Sequence, residues 1–386
     1  MKSSLFKFLE DSKLMKVIIF IIYFIINFLF LVKYGARQEK VHILFLAVIF
    51  IFIHAIFYFS YHSIINKLKL NSKIIYGLVV VTGIIYLFLS HLTKDPYALK
   101  IDRWQTAEYS LDYWLHGKYI YSTKNFMGNI PSYLPGQLLF LLGFYLIGNV
   151  GYLQVVSLVL FSFAVIKEFK ANNIRLLGIL MMFFSLSFIY EAVCKSDFIS
   201  SFIIVSFFII YWSKKYQDNY FQKPLLLGVI LGVLCLTRSV VVVPIILFLC
   251  KPFFEASWAE KIKFSCMYII TIVLLLLSIL LPAEDFDYIL AYNPLGMQGQ
   301  SNVFVILIFL SLSVFLSFIV KKIRHIFYLS TIIVFSLMCA HIIQQLLRET
   351  TFNYLNITYL AAALPFCVIS FCFLSQKENI SNNQLG

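Results

Sequence analysis

Two charged residues stand apart in an apolar chain, and their side chains are the first candidates for chemistry. Asp102 opens residues 102–136, the one long stretch that membrane helices cannot explain, and this stretch concentrates charge, aromatic residues, Gly and Pro. Arg238 lies between two apolar segments. An arginine flanked by apolar helices is costly unless it has an anionic partner. The sequence therefore predicts a carboxylate at one position, an anion-binding guanidinium at another, and function centred on residues 102–136.

Both residues also have structural interpretations. Asp102 fits the N-cap of a helix, with Gln105 three positions later completing a capping box, and this role is compatible with a chemical one. Arg238 can pair with a protein carboxylate or extend toward water. Lys195 and Asp197, at the start of an apolar segment, either join the same pocket or form a solvated boundary.

An amphipathic helix should carry the first candidate. Trp104, Ala107, Leu111 and Trp114 recur at helical spacing, so residues 103–116 are expected to form a helix on the membrane surface. Gly117 is a plausible end for it.

Membrane-spanning helices must form the rest. Hydrophobic residues make up 61% of the 386 and charged residues 13%, and apolar runs of roughly 16–20 residues suit a bilayer core of about 30 Å. We expect an all-α polytopic membrane protein with one domain, residues 1–386, and about twelve transmembrane helices. Residues 224–250 are interpreted as two short spans meeting at 237–239. The other expected spans are 14–32, 41–61, 74–91, 150–166, 174–190, 198–213, 264–281, 303–320, 326–345 and 355–374.

The distribution of charge orients these spans. Twelve lysines and arginines lie in loops 167–175, 214–223, 251–263 and 321–325, and two lie in loops 191–197, 282–302 and 346–354. Because basic residues favour the cytoplasm, the first set is expected inside. This bias also accounts for the net charge of +13 without a nucleic-acid partner.

The outer loops follow from this orientation. Residues 93–149 should form an external loop with interfacial helices, in which 133–149 is a re-entrant or interfacial helix. The alternative is that 133–149 spans the membrane, which would reverse the membrane orientation of the amino-terminal third of the chain. A second external loop is expected at 282–302. Its acids, Glu284, Asp285 and Asp287, are interpreted as polar surface or as a cover for a substrate. Seven cysteines show no disulfide or zinc spacing.

The order of these features resembles the GT-C superfamily of glycosyltransferases that use polyprenyl-phosphate sugars. The matching features are an Asp at the start of a large external loop, an aromatic helix, Gly117-Lys118-Tyr119 and a Tyr/Pro-rich turn at 131–135. Lys195-Ser196-Asp197 and the Gly-rich segment before Arg238 are also similar to the family. The resemblance covers about residues 74–320. Two features depart from the family: Asp102-Arg103 stands where an acidic pair is common, and residues 1–73 add two spans.

The resemblance implies sugar transfer from a lipid-linked phosphate donor to an acceptor hydroxyl of a glycan, lipid or protein. Asp102 would then be the general base, and Arg238 would stabilise the leaving phosphate. Arg348 is a second candidate phosphate ligand. The residues assigned to substrate binding are Arg103, Glu108, Tyr133, Lys195, Asp197, Arg238 and Arg348. No cofactor is predicted; a divalent metal is possible but unsupported, because Arg103 replaces the second acid.

Other functions fit the same composition. A transporter or lipid flippase would also use many spans and a mid-chain arginine, but such proteins usually show two related halves with matching broken helices, and we see one broken segment. A lipid-linked polysaccharide polymerase or ligase usually has its large loop later in the chain. The richness in Ile, Phe, Lys and Asn suits a bacterium, so the expected location is the bacterial inner membrane with the site facing outward.

Overall fold

Long apolar segments become helices throughout the chain. The computed structural model describes residues 8–38, 40–68, 70–97, 101–293, 301–348, 352 and 355–383, and these residues contain helices and no strand. The first eight labelled helices are α1 (Ser12–Gly35), α2 (Ile43–Lys67), α3 (Ser72–Leu92), α4 (Arg103–Leu115), α5 (Pro135–Leu146), α6 (Tyr152–Glu168), α7 (Asn172–Phe183) and α8 (Leu186–Cys194). The next eight are α9 (Phe198–Lys215), α10 (Pro224–Cys235), α11 (Val242–Glu255), α12 (Trp258–Leu280), α13 (Phe286–Ala291), α14 (Val303–Ser317), α15 (Ile323–Leu346) and α16 (Leu364–Asn383). Two 3-10 helices, Ser239–Val241 and Ile357–Ala363, precede α11 and α16.

Within the described residues, seven segments are long and apolar enough to cross a membrane. They are α1, α2, α3, α9, α12, α15 and the segment Ile357–Lys377, which joins the second 3-10 helix to α16. The bent pair α7–α8 makes an eighth if it is one span. This architecture confirms the expected all-α membrane protein with several spans. The remaining apolar helices are short: α5 has 12 residues and is about 18 Å long, well under the bilayer core.

The segment expected to span at 174–190 is broken, because the chain bends by 53° between α7 and α8. Asn27 of α1 stabilises this bend. Its Oδ1 atom accepts hydrogen bonds from the Ser185 hydroxyl, at 2.7 Å, and from the Ser187 backbone N–H, at 3.2 Å. A side chain from another helix thus satisfies a donor at the first turn of α8, which lets the helix restart within an apolar environment.

The two halves of 224–250 are separate helices, as the sequence predicted. Two glycines of α10 let it pack closely on α12. A Cβ atom at Gly228 would lie 2.8 Å from the Phe264 carbonyl oxygen, and one at Gly232 would lie 2.7 Å from Thr271 Cβ. Small residues at such crossings are a common feature of membrane helix packing. This packing fixes the end of α10, from which Arg238 extends.

The carboxy-terminal segment forms the centre of the bundle. Residues 360–375 are all buried, and this segment packs against α1, α7, α9 and α15. Helix α1 therefore belongs to the core, whereas α2 is exposed along nearly its whole length.

Candidate active site

A polar cavity lies beneath α4 and the loop that follows it. Its volume is about 580 Å³. The wall combines residues that are far apart in the sequence, among them Asp102, Thr106, Asn129, Tyr133, Arg238 and Asn356. The two residues singled out first from the sequence, Asp102 and Arg238, therefore face the same space.

Asp102 occupies the N-cap position of α4, but its side chain makes no capping hydrogen bond. Its Oδ2 atom instead accepts hydrogen bonds from the side-chain amides of Asn125 and Asn129, each at 2.7 Å. Gln105 donates to the Tyr97 hydroxyl, so the capping-box interpretation is wrong. Among the described residues, no group donates to Asp102 Oδ1. One oxygen is thus held in place and the other is available to a ligand.

The asparagines are positioned by a tight turn at 125–129. Asn125 Oδ1 accepts from the backbone N–H groups of Met127, at 3.0 Å, and Asn129, at 2.9 Å. This is the local hydrogen bonding for which asparagine is favoured in turns. Gly128 has a φ of +80°, a conformation that glycine adopts without steric cost. Asn125 Nδ2 also donates to Thr106 Oγ1 on α4, at 2.9 Å, so the turn is tied to the helix that follows Asp102.

Arg238 extends from the break between α10 and the first 3-10 helix. Its Nη2 atom donates to Asp197 Oδ2 at 3.0 Å, and the Asp197 side chain is 1% exposed. The guanidinium carbon lies 5.4 Å from the ring centre of Tyr133 and 5.5 Å from that of Phe198. The buried Nε atom has no hydrogen-bond partner in the described part of the chain. Arg238 is thus oriented by one carboxylate and two aromatic rings, with a donor left over.

Tyr133 connects this arginine to α4. Its hydroxyl lies 3.1 Å from Asp197 Oδ1 and 3.2 Å from the Arg103 carbonyl oxygen, so it donates to the aspartate or is shared between the two. Burial, with a further contribution from Asp197, raises the pKa of Tyr133 well above its ordinary value. The hydroxyl therefore stays protonated and serves as a donor. Asp197 lies behind Arg238 and positions it, and the arginine reaches the cavity wall.

A second guanidinium lines the cavity. Arg103 donates from Nη1 to Ser196 Oγ at 3.1 Å and from Nη2 to Thr358 Oγ1 at 2.8 Å. Both partners are neutral hydroxyls. The buried Glu191 lies nearby: its Oε1 atom accepts from the Ile199 backbone N–H at 2.7 Å and from Ser196 Oγ at 3.4 Å. The two arginines make this side of the cavity suitable for an anionic group.

Four residues assigned to substrate binding do not line this cavity: Asp197, which lies behind Arg238, and Glu108, Lys195 and Arg348. Lys195 Nζ lies 3.4 Å from the ring centre of Trp104, and Glu108 accepts a hydrogen bond from the Trp104 indole at 2.6 Å. Arg348 is exposed just after α15.

In the loop 282–302, Asp285 caps α13, and the Tyr292 carbonyl accepts a hydrogen bond from the Tyr119 hydroxyl. Residues 294–300, 353 and 354 lie outside the described part of the chain.

Several cavity residues were missed from the sequence. Asn125 and Asn129 looked like ordinary turn residues, and their spacing around a glycine was the available signal. Asn356, which lines the cavity, and Thr358, which accepts from Arg103, belong to the triplet Asn356-Ile357-Thr358 at a span boundary, where no site was expected. The seven cysteines are free. The described residues contain no group of three or more His, Cys, Asp or Glu arranged to hold a metal ion.

No model of a known protein family matches the chain, and no significant match is found among curated proteins or solved structures. The class of protein therefore rests on its own architecture. It is an all-helical membrane protein with several long apolar spans and a polar cavity at the ends of its helices.

Proposed function

We propose that this protein is a GT-C-type glycosyltransferase that moves a sugar from a polyprenyl-phosphate donor to an acceptor hydroxyl. The observation that carries the proposal is that Asp102 and two arginines line one cavity. One wall offers a proton acceptor and another offers anion ligands. Transfer of a glycosyl group away from a phosphate needs both.

The proposed reaction is a single displacement at the anomeric carbon of the donor sugar. The acceptor oxygen attacks the anomeric carbon and a new C–O bond forms, while Asp102 Oδ1 takes the hydroxyl proton. The bond between the anomeric carbon and the phosphate oxygen breaks with inversion, and the electron pair leaves with the phosphate. A positioned general base contributes about 10²–10⁴-fold to such a rate.

The environment of Asp102 supports its role as the base. Its hydrogen-bond partners Asn125 and Asn129 are neutral amides, so the carboxylate is oriented without an ion pair. Only one of its oxygens is engaged within the described residues. The other can approach an acceptor bound in the cavity.

The environment of Arg238 supports its role at the phosphate. Arg238 lines the cavity and uses Nη2 for Asp197, so a phosphate oxygen bound there could accept a charge-assisted hydrogen bond from the same guanidinium. Charge that develops on the phosphate oxygens would be stabilised strongly in a site with little water. Arg103, held by two neutral hydroxyls, adds a second cation to the same wall.

The proposed orientation follows from the loop charges. We place the cavity on the external face of a bacterial inner membrane, because the lysine-rich loops favour the cytoplasm. A twelve-span arrangement, with α5 re-entrant, would need α6, α10, α11, α14 and the bent pair α7–α8 to cross in addition to the seven long apolar segments. Labelling of single cysteines introduced at Lys118 and Lys263 with a membrane-impermeant reagent in intact cells tests this. Labelling at the second position and not at the first would reverse it.

Replacement of one carboxylate tests the function. Purified protein should release sugar from polyprenyl-phosphate sugars, and Asp102→Asn should lower that rate by about 10²-fold or more while donor binding is retained. The matched control is Asp112→Asn on the exposed side of the same helix. Transfer by Asp102→Asn at the wild-type rate contradicts the base assignment. Donor movement across the bilayer without sugar release supports a flippase instead.

A further inference from the structure

An apolar groove runs along the outside of α3 and α6, away from the polar cavity. Its volume is about 400 Å³, and its walls include Val79, Gly83 and Leu87 of α3 and Val155, Val159 and Phe163 of α6. The lining of α3 extends from Tyr76 to Leu87, which is about 17 Å of helix. Both helices are apolar along this length. Such a groove is long enough for much of one lipid chain.

A pocket of different character lies one helical turn beyond the groove. The pocket has a volume of about 360 Å³, and its lining includes His91, Lys94, Trp104, Tyr152 and Lys195. His91 lies one turn beyond Leu87 on α3, and Tyr152 lies one turn before Val155 on α6. The Tyr152 hydroxyl and His91 Nε2 are 3.2 Å apart, which joins the two helices where the groove meets the pocket. The lining contains basic residues and no carboxylate.

Lys195 is the central cation of this pocket. Only 6% of the residue is exposed, and it lines the pocket. The ammonium lies against the ring of Trp104. Burial lowers the pKa of Lys195, and the nearby Glu108 carboxylate partly offsets this effect. A lysine held against an aromatic ring at the wall of a basic pocket is a ready phosphate ligand.

The backbone at Lys195 is also unusual. It is the C-cap of α8 with a φ of 51°, the one non-glycine residue with positive φ among those described. Glycine is the common residue at such helix ends, and other residues bear a cost of roughly 1 kcal/mol there. The conformation directs the lysine stem across Gly151, where a Cβ atom would lie 3.0 Å from Lys195 Cγ. The strained residue thus places its cation at the end of the groove.

We propose that this groove and pocket bind one anionic lipid, with a chain between α3 and α6 and its phosphate at Lys195. Charge complementarity selects the occupant. A neutral lipid would bring no anion to the basic lining of the pocket, and a small soluble anion would leave the groove unused. The site is separate from the cavity of Asp102 and Arg238, and its existence does not depend on sugar transfer.

Two lipids with identical chains test the proposal. Native mass spectrometry of the full-length protein in detergent should show dioleoyl phosphatidic acid binding at least tenfold more tightly than dioleoyl glycerol, which lacks the phosphate. Lys195→Gln should abolish this preference, because one charge-assisted contact corresponds to about a tenfold change in affinity or more. Lys118→Gln, an exposed lysine on another surface, is the matched charge control and should keep the preference.

A second pair of variants tests the groove. Leu87→Trp should fill the end of the groove nearest the pocket and weaken binding of both lipids. Phe88→Trp, which changes an exposed residue outside the groove, should leave binding unchanged. Lys195→Gly relieves the positive φ and keeps the experiment informative if Lys195→Gln misfolds. Equal binding of the two lipids, or an unchanged preference in Lys195→Gln or Lys195→Gly, overturns the proposal. Sugar transfer is measured separately through Asp102, so a failure of either proposal is visible without the other.

Discussion

Two glycines of the same short helix should respond in opposite ways to alanine. Gly136 lies in the first turn of α5, where a Cβ atom would lie 2.8 Å from both the carbonyl carbon and the carbonyl oxygen of Leu236, and closer still to the Val233 carbonyl oxygen. Gly143 lies two turns later, and a Cβ atom there meets nothing within 4 Å. The backbone at the end of α10 therefore packs directly on Gly136 and not on Gly143.

The expected magnitudes follow from these distances. Alanine in place of a helical glycine gains about 0.5–1 kcal/mol from backbone entropy, and Gly143→Ala should show that gain. Gly136→Ala gains the same amount, but it must separate two backbones by several tenths of an ångström or more. Overpacking of this kind costs about 1–3 kcal/mol. The net expectation is stabilisation for Gly143→Ala and destabilisation of about 1–2 kcal/mol for Gly136→Ala.

Thermal unfolding in detergent, followed by tryptophan fluorescence, measures both changes. The midpoint should rise for Gly143→Ala and fall for Gly136→Ala. Because Leu236 is two residues from Arg238, Gly136→Ala should also weaken binding of a polyprenyl-phosphate sugar, whereas Gly143→Ala should not. A rise in midpoint for both variants would show that α5 does not rest on the end of α10, and the positioning of Arg238 argued from this contact would be wrong.

Two further predictions concern ion pairs at different depths. Asp197→Asn leaves the Arg238 guanidinium, 12% exposed, without its anion, so it should lower the free energy of unfolding by about 3–5 kcal/mol. In a double-mutant cycle, Asp197→Asn combined with Arg238→Gln should cost less than the sum of the two single changes. The Glu10 carboxylate forms ion pairs with Lys322, Arg324 and Lys377. Burial acts to raise the pKa of Glu10, but the hydrogen bonds from Arg324 and Lys322 outweigh burial and lower this pKa from 4.5 to about 2. Its contribution, on the order of 1 kcal/mol after solvent screening, is therefore complete above pH 4.5 and lost as the pH falls toward 2. The unfolding midpoints of the wild type and Glu10→Gln should differ at pH 7 and converge below pH 4.5, and a constant difference down to pH 3 would contradict this assignment.

Much of the helical architecture was predictable because bilayer length and hydropathy act locally along the chain. The apolar run at 14–32 became α1, and the break at 237–239 followed from three polar residues inside an apolar segment. The bend at Ser185 was not predictable in this way. It depends on Asn27, which lies 158 positions earlier and supplies the acceptor that the bend requires. Periodicity within one segment does not report such a partner.

The residues of the candidate site were likewise predictable only in part. Asp102 and Arg238 attracted attention because charge is costly in an apolar chain. The residues that orient them did not, because asparagine and threonine are common at turns and helix ends. Arg103 shows this limit clearly: its hydroxyl partners, Ser196 and Thr358, are 93 and 255 positions away. Only the packed bundle brings them together.

The two aspartates of the cavity region have different environments, and this difference separates their roles. Asp197 is buried between Arg238 and Tyr133, so a proton added to it would weaken an ion pair in a setting where that pair is costly to break. Asp102 is held by neutral amides at one oxygen, so a proton added to the other breaks no ion pair with a described residue. In the proposed reaction, Asp102 could therefore accept a proton without displacing Arg238, whereas Asp197 could not. The arrangement therefore favours Asp102 as the proton acceptor and Asp197 as the residue that positions Arg238.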